Sequence, residues 1–203
     1  MSKEKQFWDW FKNNEGKYFF LNQIDDAIEK EKLLNEFLDR LHNYCDQLFF
    51  EIGGYPDEKQ DLIITAEGDT DYFNQVETIV KSASELDYWN VIAFKPVRAD
   101  YLTEYNGITL DPNKIWFIPL NNNDNPGKIG LRLYSDNYNE SKKIDFLSAA
   151  YIVLDNILGE KSNALNIDYV EIQTPSLSQK EESIELNKLP RYIEWWKSRK
   201  QPL

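Results

Sequence analysis

Three carboxylates, Glu67, Asp69 and Asp71, stand around Gly68 within five residues. Such a group can hold a hard cation through oxygen. The spacing is not that of the twelve-residue calcium loop, which needs further ligands and a bidentate Glu at its end. The same residues fit a strand-to-helix turn. Gly68 permits the bend, and Asp69 or Thr70 caps the helix and favours its positive end. The turn accounts for all of them, so no metal is expected.

His42 and Cys45 are the only residues of their kinds. Three apart on a helix, they can share a face, and a thiolate pair is the chemistry that spacing offers. Cys45 falls in an apolar stripe, however, where desolvation raises a thiol and leaves it inert. His42 sits beside that stripe without an evident orienting partner. One Cys and one His exclude a Cys/His zinc site and an intramolecular disulfide, and any Ser-His-Asp arrangement depends on His42 alone. Gly53-Gly54 runs into Tyr55-Pro56, which matches neither the dinucleotide nor the P-loop spacing. With 35 acidic residues some carboxylate pair always lies at a glycosidase separation, so that signal discriminates nothing. No catalytic residue is identified and no cofactor is expected.

The remaining candidates are binding residues. Glu51, Thr65, Lys95, Arg132 and Glu171 are the polar members of otherwise apolar segments. Strand alternation can bring them to one mixed-charge face, together with Phe49, Tyr134 and Tyr169. A pocket holding Glu51, Lys95 and Arg132 together would point to a carboxylate-based hydrolase or a small-molecule site. A solvated face would point to a macromolecular partner. Aromatic pairs crowd both ends of the chain: Trp8 with Trp10, and Trp195 with Trp196. Adjacent helical residues diverge by roughly 100°. One ring of each pair can enter a core while the other meets solvent or a partner. Trp10 and Trp196 are the rings assigned to the partner side.

These residues must be positioned by recognisable elements. Phe7, Trp8 and Phe11 predict a short amphipathic helix ending near Asn13-Asn14-Glu15-Gly16. Apolar residues from Ile24 to Cys45 recur at helical spacing, with Asp25 or Asp26 as cap. Strands are predicted at 48–52, 61–66 and 89–94, with a bend at 53–57 and a helix over 71–86. Asn106-Gly107 suggests a small hairpin in a connector. The order then recurs. Strands at 115–120 and 128–134 flank a polar turn at 121–127, a helix spans 142–158 with Ser141 as cap, Gly159 ends it, and a strand follows at 167–172. A terminal helix carries Tyr192, Ile193, Trp195 and Trp196.

The reading is a single α+β domain over 1–203. Its parts are N-terminal helices at 1–46, strand–strand–helix–strand units at 48–97 and 113–173, a connector at 98–112 and a C-terminal helix at 187–200. Both units are expected to contribute to one antiparallel or mixed sheet. The terminal helices are too short to stand alone and must dock.

Phe7-Trp8-x-Trp10-Phe11 forms one recognisable stretch. Glu51-Ile52-Gly53 followed by Ile63-x-Thr65-Ala66-x-Gly68-Asp69, Phe73, Val76, Leu86, Trp89 and Ala93-Phe94-Lys95 forms another. Together they resemble a family of uncharacterised bacterial proteins of about this length, over most of residues 1–97. The resemblance implies a bacterial, cytoplasmic protein and transfers no catalytic or binding residue. In acidity and element order alone, the chain is similar to small acidic ferredoxin-like inhibitor proteins that bind nucleases.

Composition bounds the function. The 203 residues are 41% hydrophobic and 29% charged, which excludes collagenous and wholly disordered classes. A net charge of −12 argues against nucleic acid and anionic membranes, and any steered partner is expected to be a basic protein. No apolar run approaches the ~20 residues of a membrane span. The first residues, Met-Ser-Lys-Glu-Lys and an aromatic-rich polar mixture, do not read as a secretory signal. A non-enzymatic cytoplasmic binding or regulatory protein is the reading these features favour.

Overall fold

The structure, a computed structural model, describes residues 1–54, 58–121 and 125–200. It is α+β, and its backbone contacts divide it into two compact units, Met1–Lys95 and Pro96–Leu203, where the sequence suggests one domain. Parts of the expected bend at 53–57 and turn at 121–127 lie outside the described residues. No described helix is long and apolar enough to cross a membrane.

In the first unit, helix α1 (Lys3–Phe19) begins at Ser2, whose hydroxyl accepts from the Lys5 amide at 3.3 Å. It does not stop near residues 13–16 as the sequence suggests. Gly16 costs about 1 kcal/mol relative to Ala in a helix. Continuing the helix, however, brings Tyr18 onto the stripe of Phe7 and Phe11, fully buried against Phe37 at a ring separation of 5.3 Å. Tertiary burial overrides the local stop signal. Helix α2 (Ala27–His42) is capped by Asp26, whose carboxylate accepts from the Ile28 and Glu29 amides. Its buried Phe37 meets Phe7, Trp10, Phe11 and Tyr18. The N-terminal helix thus docks on α2.

Strands β1 (Phe49–Gly53), β2 (Gln60–Thr65) and β3 (Trp89–Ala93) form a mixed sheet. β2 is central, antiparallel to β1 and parallel to β3. Phe50, Ile52, Leu62, Ile64, Trp89, Val91 and Ala93 share one face by register. The Phe37 ring lies 4.1 Å from Phe50 and the Phe11 ring 5.2 Å from Trp89, so α1 and α2 cover this face. Glu51, Ile63 and Thr65 point to the other face. Helix α3 (Phe73–Lys81) crosses from β2 to β3. Two long-range hydrogen bonds hold it. The Trp8 indole donates to the Ile79 carbonyl at 2.8 Å, and the Tyr44 hydroxyl donates to the Gln75 carbonyl at 3.1 Å.

The second unit opens with the expected hairpin, β4 (Thr103–Tyr105) and β5 (Ile108–Leu110). Asn106 and Gly107 both have positive φ, 46° and 74°, as the tight turn between such strands requires. Strands β6 (Ile115–Leu120), β7 (Ile129–Ser135), β8 (Ile167–Gln173) and the two-residue β9 (Ile184–Glu185) form a second mixed sheet, in the order β8-β7-β6-β9. Helix α4 (Lys143–Leu158) buries Phe146, Ala149, Ala150, Val153, Leu154 and Ile157 against Leu131, Leu133, Val170 and Ile172. Gly159, at φ 73°, ends it as the sequence suggests. The entry cap differs: Asn139, not Ser141, is the acceptor, taking the Ser141 amide at 3.0 Å.

The short helices α5 (Glu160–Asn166) and α6 (Leu177–Glu182) and the two-residue strand β9 (Ile184–Glu185) are additions to the sequence reading. Helix α7 (Leu189–Lys200) closes the core with Leu189 and Ile193.

The two units share one plan. In each, an antiparallel strand pair is followed by a helical crossover to a strand parallel to the central one. Thr65 and Ser135 end the central strands, and Asp69 and Asn139 cap a short 3-10 turn. The helices then begin at Phe73 and Lys143. The expectation of one shared sheet is corrected. Among the described residues each unit's central strands form a separate hydrogen-bonded sheet. Strand pairing is non-local, so element order alone could not decide it.

Two glycines should respond in opposite directions. A Cβ on Gly130 would stand 2.3 Å from the Tyr169 ring, which lies over the β7 backbone. Gly130→Ala is expected to cost about 1–3 kcal/mol through the forced ring shift. A Cβ on Gly16 meets nothing within 4 Å, so Gly16→Ala should stabilise by about 1 kcal/mol. Urea unfolding of both variants checks the signs.

Alkaline pH provides a second check. Burial first, and the Glu4 carboxylate second, push the Tyr44 hydroxyl up to about 12. Burial also raises Tyr18. A free phenol titrates near 10, so between these values the folded state holds more protons than the unfolded one. Stability should be fully present below about pH 10 and decline as pH rises through about 12. Equal stability across that interval would contradict the burial of these rings.

Candidate functional site

Lys95 lies two residues beyond the end of β3. Phe94, at φ 68°, turns the backbone in a left-handed step while its amide still donates to the Ile64 carbonyl at 2.8 Å. At the end of neighbouring β2 the chain turns through Glu67 (φ 51°) and Gly68 (φ 84°), closed by the Asp69 amide donating to Ala66. The buried Thr65 hydroxyl accepts from the Glu67 amide at 2.9 Å. These two left-handed steps bring the side chains together. Lys95 Nζ lies 2.6 Å from Glu67 Oε2 and 3.9 Å from Glu51 Oε1.

Two sequence candidates, Glu51 and Lys95, are therefore neighbours, and Glu67 joins them. This is salt-bridge geometry, with the ammonium engaged by carboxylates. Asp69 acts as a cap, its carboxylate accepting from the Asp71 amide at 3.0 Å, as the turn reading expects. Glu67, Asp69 and Asp71 are exposed, and so is Phe49, paired in register with Thr65. The strand end thus presents four carboxylates, one lysine and an aromatic ring.

Arg132 belongs to the second unit. Its Nε donates to Glu171 Oε2 at 2.8 Å across the β7–β8 pair, and that bond raises the guanidinium's proton affinity further. Trp116, Ile118, Tyr134 and Tyr169 share its face by register. The single polar face expected from the sequence is thus two faces on two sheets, each with its own ion pair.

The terminal aromatics sort only partly as expected. Trp8 is buried and Trp10 is half-buried, with the Arg40 guanidinium 5.6 Å from its ring centroid. At the other end the assignment is reversed. Trp196 packs against the second unit's core, while Trp195 is 50% exposed beneath Arg199. The buried stripe of α7 runs Leu189, Ile193, Trp196, at spacings of four and three, and this phase turns Trp195 outward.

Charge is divided unequally. The first unit holds 20 acidic and 10 basic residues and the second 15 and 13, giving formal charges of −10 and −2. Among the described residues, clefts lie away from Glu51, Lys95 and Arg132. One runs along α2, one of about 370 Å³ lies between Asp111 and Asn137, and one of about 290 Å³ lies between α1 and α2. Sequence reading missed the Glu67–Lys95 pair and the neighbourhood of Arg40 and Trp10. The charge division was countable in the sequence once the unit boundary was known. The chain matches no family model, no curated protein and no solved structure.

Proposed function

We propose that this is a non-enzymatic binding protein of the bacterial cytoplasm that recognises a basic protein through the acidic strand end of its first unit. The observation that carries the reading is the division of charge, −10 against −2. A concentrated field of one sign steers an oppositely charged partner and repels nucleic acid. Glu67, Asp69 and Asp71 supply the charge at the strand end, and Phe49 supplies an apolar anchor beside them. A hydrolase on the polar sheet face has less support, because the Lys95 ammonium is engaged by the Glu67 and Glu51 carboxylates.

Affinity capture from a lysate of the source organism, with quantitative mass spectrometry, tests this. Wild type should retain a basic protein that Glu67→Gln with Asp71→Asn loses. Control variants Glu104→Gln with Glu181→Gln, in the second unit, should retain it. Equal capture by all three, or capture only of acidic proteins, would count against the reading.

A further inference from the structure

We infer that the cleft between α1 and α2 binds a small organic anion with a flat, unsaturated body. Acidic residues outnumber basic ones two to one in this unit. The charged side chains that line this cleft are nevertheless both cationic, Lys3 and Arg40. Glu4 neighbours the cleft without lining it. Neither cation is in a salt bridge among the described residues. Two cations lining one cleft, with no carboxylate in its lining, suit an anionic ligand.

The remaining lining gives the ligand its shape. Phe7 is buried and Trp10 half-buried, so the floor is aromatic. The Arg40 guanidinium is already held over Trp10 at 5.6 Å from the ring centroid. A guanidinium held near an aromatic face by its charge has N–H donors in the fork that matches a carboxylate or a phosphate. Gln6 and Asn43 add amide groups to the lining. The volume, about 290 Å³, lies at the lower end of small-molecule sites. It suits one ring with one anionic group better than a polymer. The cleft is separate from the strand end proposed to meet the basic partner, and the two assignments stand or fall independently.

Carboxylate and phosphate share this chemistry, so the test uses both. Indole-3-acetate and adenosine 5′-monophosphate are titrated into the full chain by calorimetry and thermal shift, with inorganic phosphate as the bare anion. At least one of the two organic anions should bind, and more tightly than inorganic phosphate. Arg40→Ala should weaken that binding about 10-fold or more, Lys3→Ala should weaken it less, and Arg191→Ala in the second unit should leave it unchanged. Whichever anion binds identifies the head group. The inference is overturned if neither organic anion binds better than phosphate, or if the folded Arg40→Ala protein binds as wild type does.

Discussion

Replacing Trp8 with alanine is expected to lower the stability of the first unit by about 3–5 kcal/mol, the range for truncating a buried Trp. The indole is 4% exposed and meets Phe7 and Phe11 edge-on. Its N–H donates to the Ile79 carbonyl at 2.8 Å, so alanine also removes a donor from the last turn of α3. The loss is a large share of a typical domain's stability, about 5–15 kcal/mol. Trp8→Phe should recover part of the packing but not the hydrogen bond. Trp195→Ala, by contrast, removes a ring that is 50% exposed and should cost less than about 1 kcal/mol. Urea titrations of the three variants decide this. Equal effects of Trp8→Ala and Trp195→Ala would mean that α1 does not dock as described.

Removing residues 174–203 is expected to unfold the second unit. The deletion takes away Leu186 and Leu189, both fully buried, and Ile193. It also strips β9 from the edge of β6, where Ile184 pairs with Phe117, and removes Tyr192 from the Phe117 ring at 5.5 Å. Each large aliphatic side chain lost from a core costs about 2–5 kcal/mol, so three together reach or exceed what a domain of this size has. The truncated chain should lose the dispersed amide spectrum of residues 96–173. A melting profile unchanged from the full chain would show α7 to be a free arm.

What could be read from the sequence was local. A cap of α2 at Asp25 or Asp26, Asn106-Gly107 as a hairpin turn and Gly159 as a helix stop all act within a few residues, so the pattern carried them. The continuation of α1 past Gly16 depends on Tyr18 meeting Phe37, nineteen positions away. The short α5, α6 and β9 have too few residues for periodicity to register. The phase of Trp195 and Trp196 depends on where α7 starts, which the tertiary burial of Leu189 fixes. At the candidate site, Glu51 and Lys95 were legible as polar residues in apolar strands. Glu67 was legible as part of the turn around Gly68 but not as their neighbour, because its left-handed backbone has no local signal beside Gly68, which invites that conformation first. Arg132 went to a separate sheet because strand pairing is not written in element order.

If the acidic first unit recognises a basic partner by charge, as proposed, salt must weaken the complex. The most direct measurement is the salt dependence of the affinity for the captured protein, by calorimetry between about 50 and 300 mM salt, where the Debye length falls from about 14 to about 6 Å. Affinity should fall at least ~10-fold over that range. The slope should be shallower for Glu67→Gln with Asp71→Asn than for wild type. An affinity indifferent to salt and to those two substitutions would contradict it.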